Sequence, residues 1–98
     1  MMETSFEWDP EKALLNVRKH RVTFETAIRV FLDPYAVIEQ DRIVDGEERW
    51  QIIGIVDGKM MLMVAHSIEE HEHLEVIRII SARRANRGEE QRYEDENG

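Results

Sequence analysis

The sequence contains a histidine in a basic stretch, a combination that could support chemistry on a phosphate. His20 follows Lys19 directly, and an imidazole titrates close enough to neutral pH to donate or accept protons there. At the end of a predicted helix, the same side chain could instead interact only with the helix dipole. Two interpretations of His20 are therefore open, a general acid or base beside a phosphate and a purely structural group.

Several arginines could bind the phosphate itself. A planar guanidinium donates two parallel hydrogen bonds to phosphate oxygens. Arg78 lies inside an apolar stretch, where an unpaired charge is costly to bury. It therefore either pairs with an acid such as Glu48 or Glu75, or faces an anion. Arg49 opens another apolar stretch and has the same two interpretations, and Arg83 comes where the stretch that contains Arg78 ends.

Three further histidines, His66, His71 and His73, lie close together beside several glutamates. Imidazoles and carboxylates can bind transition metals, but this spacing does not place the three on one helix face. A solvated acidic loop is the more typical interpretation of the stretch. The sequence also has no Walker loop, Rossmann glycine pattern or nucleophile elbow. We therefore expect no metal and no other cofactor.

The charge distribution is informative about the partner. The formal net charge is −8, which disfavours nonspecific binding to nucleic acid. However, the stretches Lys12–Arg21 and Arg78–Arg87 contain no acid and each hold four lysines or arginines. Two basic stretches on an acidic protein could focus a phosphate-bearing ligand into one cleft, or they could be two solvated faces.

Composition limits the class of protein. Ninety-eight residues, 42% of them hydrophobic, suffice for one domain with a modest core. The longest apolar run, Met60–Ala65, is far too short to cross a bilayer, and no secretory signal is visible. Because the sequence has no cysteine, disulfides, thiolate catalysis and cysteine-based zinc sites are excluded. We expect a cytoplasmic protein.

The elements that position these residues are predicted from capping residues, turns and periodicity. Asp9-Pro10 and Thr23 are typical helix starts, and Asp57-Gly58 is typical of a hairpin turn. The predicted helices are Pro10–His20, Phe24–Leu32 and Arg83–Tyr93. The predicted strands are a short stretch at Phe6–Trp8, then Tyr35–Ile43, Glu48–Val56, Lys59–His66 and His73–Ser81, with a polar loop at Ser67–Glu72 and a flexible acidic tail at about 94–98.

Helices followed by strands predict an α+β domain. We expect two N-terminal helices packed on a mainly antiparallel sheet of four to five strands, with a C-terminal helix. In the first helix, Ala13, Leu14 and Val17 are spaced by one, three and four residues, so they share one face and are expected to be buried.

A series of motifs runs through the chain in this order: Phe6-x-Trp8-Asp9-x-x-Lys12, Asn16-x-x-Lys19-His20, Val22-x-Phe24-Glu25-x-Ala27-x-x-Val30-Phe31-x-Asp33, Glu48-Arg49, Ile53-Gly54, Arg78-Ile79-Ile80-Ser81-Ala82-Arg83 and Tyr93. Together they resemble the BrnT family over about residues 6–93. The sequence departs from that family at Arg21, where a glycine usually follows Lys-His, and in its last helix, which is acidic instead of basic.

The resemblance implies a RelE-like fold and the toxin of a type II toxin–antitoxin pair, which cleaves RNA. It also implies a BrnA-like antitoxin as the partner, in an assembly of two toxins and two antitoxins. Contact with DNA is expected only through that antitoxin, and no contact with a membrane is expected.

We therefore predict a metal-independent endoribonuclease that inhibits translation. RNA carries its own nucleophile, the 2′-hydroxyl, so the protein mainly supplies proton transfer and charge stabilisation. His20, helped by Lys19, is predicted to transfer the proton, and the scissile phosphate is predicted to be held by Arg49, Arg78 and Arg83. The residues predicted to bind RNA elsewhere are Lys12, Arg18, Arg84 and Arg87.

The alternative is a noncatalytic module that docks a basic or DNA-binding partner. The two N-terminal helices could mimic a helix-turn-helix. The second helix, however, carries only Glu25 and Arg29 as charged side chains and is otherwise apolar or small. It has little with which to contact base edges.

Overall fold

A five-stranded mixed sheet with helices on both faces forms the body of the protein, in a computed structural model that describes residues 2–98. The strand order is β1-β5-β4-β3-β2, with β1 parallel to β5 and the other pairs antiparallel. In chain order the elements are β1 (Glu3–Glu7), α1 (Pro10–His20), α2 (Phe24–Ala27), a 3₁₀ helix (Ile28–Leu32), β2 (Val37–Val44), β3 (Glu47–Val56), β4 (Met60–His71), β5 (Leu74–Arg84) and α3 (Arg87–Asn97). The predicted α+β fold is confirmed.

The two faces of the sheet carry separate cores. On the first face, α1, α2 and the 3₁₀ helix cover the larger core, whose buried members are Val22, Phe24, Ala27, Val30, Ile52, Val56, Leu62, Val64, Ile77, Ile79 and Ala82. On the second face, Tyr93 of α3 packs against Ile53 and Met63. Helix α3 covers only part of this second face, because it packs mainly against β2 and β3.

The first helix begins and ends at Pro10 and His20 as predicted. The side chain of Asp9 accepts a hydrogen bond from the N–H of Glu11, which satisfies one of the free donors of the first turn. The expectation that Leu14 is buried is wrong, because 66% of it is exposed. The buried residue of α1 is Asn16, since the helix lies along the edge of β5 and not flat over the sheet.

Arg21 ends α1 in a left-handed conformation, with φ 61° and ψ 29°, and its N–H donates to the carbonyl of Val17. A side chain in this conformation brings Cβ too close to the carbonyl oxygen, which glycine avoids. We expect Arg21→Gly to raise the free energy of unfolding by about 1 kcal/mol. Urea unfolding measures this change. Arg21→Ala removes the same charge but keeps Cβ, so a comparable gain from alanine would contradict the backbone explanation.

The predicted second helix changes type partway along. It is α-helical over Phe24–Ala27 and continues as a 3₁₀ helix to Leu32. The side chain of Thr23 caps its start by accepting from the N–H of Thr26. With three residues per turn, the 3₁₀ geometry places residues spaced by three on one line, so Val30 stays buried in line with the α2 core residues.

The predicted hairpin turn is confirmed, but one predicted loop is wrong. Asp57-Gly58 lies in the three-residue connection between β3 and β4, and both residues have positive φ, as a type I′ turn requires. The N–H of Lys59 donates to the carbonyl of Val56 across this turn. The predicted loop Ser67–Glu72 is instead mostly strand, because β4 runs to His71 and pairs with β5 down to Leu74. Polar side chains tolerate this paired geometry because the hairpin projects into solvent and the backbone groups bond to each other.

Helix α3 begins at Arg87, four residues later than predicted. The strand β5 continues to Arg84, and Asn86 then caps the helix in a reciprocal pair with Glu89. The helix continues through the predicted acidic tail to Asn97, whose amide donates to the carbonyl of Tyr35. No helix in the described part of the chain is long and apolar enough to span a membrane.

Candidate functional site

The edge of β5 organises the candidate site. Strand β1 pairs with β5 only as far as Arg78, which leaves the rest of β5 without a neighbour on that side. Asn16 fills this place: its amide donates to the carbonyl of Ala82 at 2.9 Å and accepts from the N–H of Ala82 at 3.1 Å. The same amide donates to the carbonyl of Val22 at 2.9 Å. One side chain thus replaces a neighbouring strand and fixes α1 against β5.

Helix α1 then places His20 in a groove of about 190 Å³ at this edge. His20 is half-buried there, and Lys19 is exposed beside it. The full lining of the groove is Lys12, Leu15, Asn16, Lys19, His20, Ile80 and Ser81. A phosphate in this groove would meet two ammonium groups and an imidazole.

The three arginines predicted to be catalytic share the second face of the sheet. Arg83 pairs with Met63, which packs against α3. Ile80 is an extra residue in β5, because Ser81 pairs with Ala65 while Ile79 pairs with His66. This bulge keeps Arg78 on the same face as Arg83, opposite Ser67. Arg49 reaches that face by simple alternation from Ile53 of β3. We call the side of the sheet that carries these three arginines the basic face.

A carboxylate of this chain lies against each of these arginines. Arg78 donates to Glu7 at 3.3 Å, and Nε of Arg49 lies 3.3 Å from an oxygen of Glu47. Arg83 donates two hydrogen bonds to Glu89, at 2.8 and 2.9 Å. Arg78 therefore pairs with an acid, which is Glu7 and not Glu48 or Glu75, and Arg49 lies against Glu47. The interpretation that these arginines face an anion stays a prediction.

The pair formed by Arg83 and Glu89 is part of the structure of α3. Only 4% of Glu89 is exposed. Burial opposes its ionisation, but hydrogen bonds from Arg83 and from the N–H of Asn86 outweigh burial and lower the pKa of Glu89. The hydrogen bond to Glu89 in turn raises the pKa of Arg83. Arg83 therefore anchors the start of α3 and has less freedom to bind phosphate than Arg78.

The structure does not gather all five predicted catalytic residues into one cavity. Lys19 and His20 lie in the groove beside α1, and the three arginines lie on the basic face across β5. Ser81 belongs to both, because it lines the groove and points by its register to the basic face. The four predicted RNA-binding residues are dispersed: Lys12 in the groove, Arg18 exposed on α1, Arg84 exposed at the end of β5 and Arg87 exposed at the start of α3.

His66 differs from the other two histidines of its group. It is completely buried, with its ring edge-on to Phe31 at 5.0 Å, and Nε2 has no hydrogen-bond partner within residues 2–98. His71 and His73 are exposed near the turn of the β4–β5 hairpin. Within the same part of the chain, no three histidines or acids are arranged to hold a metal ion.

Burial lowers the pKa of His66 below its usual value, and a contact between Nδ1 and the carbonyl of Val64 offsets this only in part. Below the usual histidine pKa of about 6.5, the His66 side chain binds a proton in the unfolded chain that it does not bind in the folded protein. We therefore expect stability to be full above that pH and to fall as the pH decreases, by at most about 1.4 kcal/mol per pH unit from this group. Urea unfolding across pH 5–7.5 measures how the free energy of unfolding changes with pH. This dependence should be less steep for His66→Leu than for the parent. Equal slopes would contradict this account.

Asp33 ties the 3₁₀ helix to the second face. One of its oxygens accepts from the N–H of Ile55 and from the hydroxyl of Tyr93, each at 2.8 Å. Burial and this hydrogen bond raise the pKa of Tyr93 to about 12, so its phenol is protonated at neutral pH and acts as a donor. Gly54 favours this approach, because a Cβ there would lie 3.2 Å from the carboxylate oxygen of Asp33, which is tighter than an ordinary contact. This network is structural and supplies no general base.

Sequence reasoning missed Asn16 and the carboxylate partners. An asparagine in the middle of a helix is a weak signal by itself, since the residue disfavours helix interiors. Glu7 gave no local signal, because its partner depends on which strands pair. Glu47 lies two residues before Arg49 on β3, so alternation along that one strand places both on the same face. Of these carboxylates, Glu89 could most easily have been predicted from the sequence, since Asn86 and Glu89 have the spacing of a capping box.

Comparison with known proteins identifies the fold and the family. A family model described as "Ribonuclease toxin, BrnT, of type II toxin-antitoxin system" matches residues 8–89. No curated protein matches the chain. The crystal structure of the ribonuclease toxin BrnT from Brucella abortus superposes with a TM-score of 0.60, over 88% of this chain and 100% of that one, at 21% identity.

This chain, with three α-helices on a five-stranded mixed sheet, thus shares its fold with the Brucella toxin. The family model extends over most of the chain, from Trp8 to Glu89. The chain belongs to the BrnT family, whose members are ribonuclease toxins of type II toxin–antitoxin systems. The substrate class is therefore RNA, and the partner class is an antitoxin.

Proposed function

We propose that this toxin is a metal-independent endoribonuclease that inhibits translation by cleaving RNA in the cytoplasm. The 2′-hydroxyl of the substrate attacks the adjacent phosphorus and the 5′-oxygen of the next nucleotide leaves. The products are a 2′,3′-cyclic phosphate and a 5′-hydroxyl end. The protein has to move one proton and stabilise the extra negative charge on the phosphate.

His20 carries this proposal, because it is a half-buried imidazole in a groove with two lysines. We assign proton transfer to His20, with Lys19 beside it to stabilise the leaving oxygen. The exposed side chain of Lys12 in the same groove would bind a phosphate of the RNA backbone. Ammonium groups suit this role because they act as compact point charges at any approach angle.

The basic face supplies the neighbouring part of the RNA path. Arg78 is the best-placed phosphate ligand, since 45% of its side chain is exposed and a single hydrogen bond to Glu7 engages it. Arg49 lies on the same face, and Arg83 borders it while holding Glu89. Because Ser81 is shared by the groove and this face, a strand of RNA that crosses the β5 edge there would contact both. The exposed Arg18, Arg84 and Arg87 would contact RNA outside this path.

The partner we propose is a BrnA-like antitoxin in an assembly of two toxins and two antitoxins. A net charge of −8 favours an antitoxin with a basic toxin-binding segment. In the described part of the chain the second helix offers no unpaired basic side chain to DNA, since Arg29 is paired with Asp57 at 2.8 Å. Operator DNA would therefore be bound by the antitoxin alone.

RNA cleavage in the presence of EDTA tests the proposal. The purified toxin should cut single-stranded RNA at the same rate with and without the chelator. The new ends should resist ligation, because one carries a 2′,3′-cyclic phosphate and the other a 5′-hydroxyl. The cognate antitoxin should stop cleavage. Complete loss of activity in EDTA would contradict the metal-independent mechanism, and binding of the antitoxin without any cleavage would favour the noncatalytic module.

A further inference from the structure

The phosphate ligands proposed on the basic face are held by carboxylates of the toxin itself. Arg78 and Arg49 each face an exposed glutamate at 3.3 Å, which is Glu7 for Arg78 and Glu47 for Arg49. Carboxylate and phosphate oxygens bind a guanidinium in the same way. These two glutamates thus occupy positions that phosphate oxygens of RNA would take.

We propose that Glu7 and Glu47 are intramolecular competitors of RNA, which lower the affinity of the basic face for phosphate. The inference rests on the proposed function, since it takes RNA as the ligand of this face. RNA must displace both carboxylates before Arg78 and Arg49 can bind its backbone. The two glutamates therefore set the RNA concentration at which the toxin becomes occupied.

The geometry of the two pairs suits displacement. The pair between Arg78 and Glu7 consists of one hydrogen bond, and about half of each side chain is exposed. Exposed pairs of this kind contribute little stability. The Nε–H of Arg49 is buried yet makes no hydrogen bond within residues 2–98, because the oxygen of Glu47 is near but not aligned with it. Glu47 therefore holds Arg49 by charge attraction and not by a hydrogen bond at Nε, so a phosphate that reaches the exposed part of this side chain has no such bond to break.

The pair between Arg83 and Glu89 shows the contrast. Two short hydrogen bonds join these side chains, and the carboxylate is almost fully buried in the capping of α3. Displacing Glu89 would also uncap the helix. We therefore exclude Glu89 from the competing group, and we expect its substitution to unfold α3 instead of improving RNA binding.

The surrounding cavity strengthens the effect of the two glutamates. A cavity of about 530 Å³ lies between β1, the β2–β3 turn and β4, and it includes four carboxylates and one arginine. Its lining is Glu7, Gly46, Glu47, Glu48, Ser67, Ile68, Glu69, Val76 and Arg78. Glu48 belongs to this lining but pairs with no basic side chain in the described structure. It provides a matched control for the loss of one negative charge.

The experiment measures binding of a fully 2′-O-methylated RNA oligonucleotide, which lacks the nucleophile and cannot be cleaved. Fluorescence anisotropy gives the Kd for the parent, for the double variant Glu7→Gln with Glu47→Gln, and for Glu48→Gln. The double variant should bind about 3- to 20-fold more tightly, as expected for the release of two exposed ion pairs. The slope of log Kd against log salt should steepen by at most about 1.4, because the double variant has no displaced carboxylates that would take up salt cations and offset the roughly 0.7 that each phosphate contact on a single strand contributes.

Glu48→Gln should leave the salt slope unchanged, because it frees no arginine. In an Arg78→Gln background, Glu7→Gln should no longer improve binding. Equal gains from Glu48→Gln, or a gain from Glu7→Gln that persists without Arg78, would overturn the inference. If the double variant binds more tightly but no variant cleaves ordinary RNA, the nuclease proposal fails and the competition stands. If the parent cleaves RNA and the double variant binds no better, only the competition fails.

Discussion

Replacing His20 by alanine is expected to lower kcat for RNA cleavage by about 10²- to 10⁴-fold, the contribution typical of one positioned general acid or base. The expected effect is this large because His20 is the only imidazole in the groove beside α1. KM should change less, since Lys12, Lys19 and the arginines of the basic face remain to bind the backbone. Single-turnover cleavage of a labelled RNA measures the rate.

Two controls separate proton transfer from folding. Leu15→Ala changes a side chain that lines the same groove and is 60% exposed, so it should cleave at the parent rate. Added imidazole should restore part of the activity of His20→Ala, because the cavity left by the ring is open to solvent. Cleavage by His20→Ala at the parent rate would move the catalytic centre to the basic face, where Arg78 and Arg49 lie.

Helix caps and turn residues predicted the starts of the helices and the position of a hairpin well, because these features depend on interactions between residues close in sequence. Asp9 and Thr23 cap the helices they were expected to start, and the Asp57-Gly58 turn joins the strands on either side of it. The polar stretch Ser67–Glu72 was assigned to a loop because its composition is hydrophilic. Its backbone instead pairs with β5, and pairing between strands is invisible to composition.

The candidate site was only partly predictable, because its geometry depends on one extra residue in β5. The bulge at Ile80 keeps Arg78 on the same face as Arg83. With regular alternation from Ile79 onwards, residues 78 and 83 would point to opposite faces. From the sequence, the two basic stretches could form one cleft or two solvated faces, whereas the structure divides them between a groove and a face that share Ser81.

The anchoring of α1 explains why its buried face was predicted incorrectly. Periodicity selects Leu14 as a core residue, but the helix lies beside the free edge of β5, where a side chain with both a donor and an acceptor is needed. Asn16 meets this need through Ala82, which is 66 positions away in the chain. Contacts at such separation depend on the whole topology and leave no local pattern.

Asn16→Ala is therefore expected to lower the free energy of unfolding by about 2–3 kcal/mol. The variant leaves the N–H and carbonyl of Ala82 and the carbonyl of Val22 without their partner, at about 1–3 kcal/mol for each buried group that stays unsatisfied. The better helix propensity of alanine and the entry of water at the edge of β5 offset part of this loss of stability. For a domain of this size the melting temperature should fall by roughly 10–20 °C, which thermal unfolding followed by circular dichroism measures.

Asn16→Asp distinguishes hydrogen bonding from simple filling of space. Aspartate has nearly the same shape and still accepts from the N–H of Ala82, but its carboxylate has no donor for the two carbonyls that Asn16 contacts. It also places negative charge against them, so at neutral pH it should destabilise at least as much as alanine. Leu14→Ala, on the exposed side of the same helix, should change stability little. A melting temperature for Asn16→Asp equal to that of the parent would show that the edge of β5 does not need this amide.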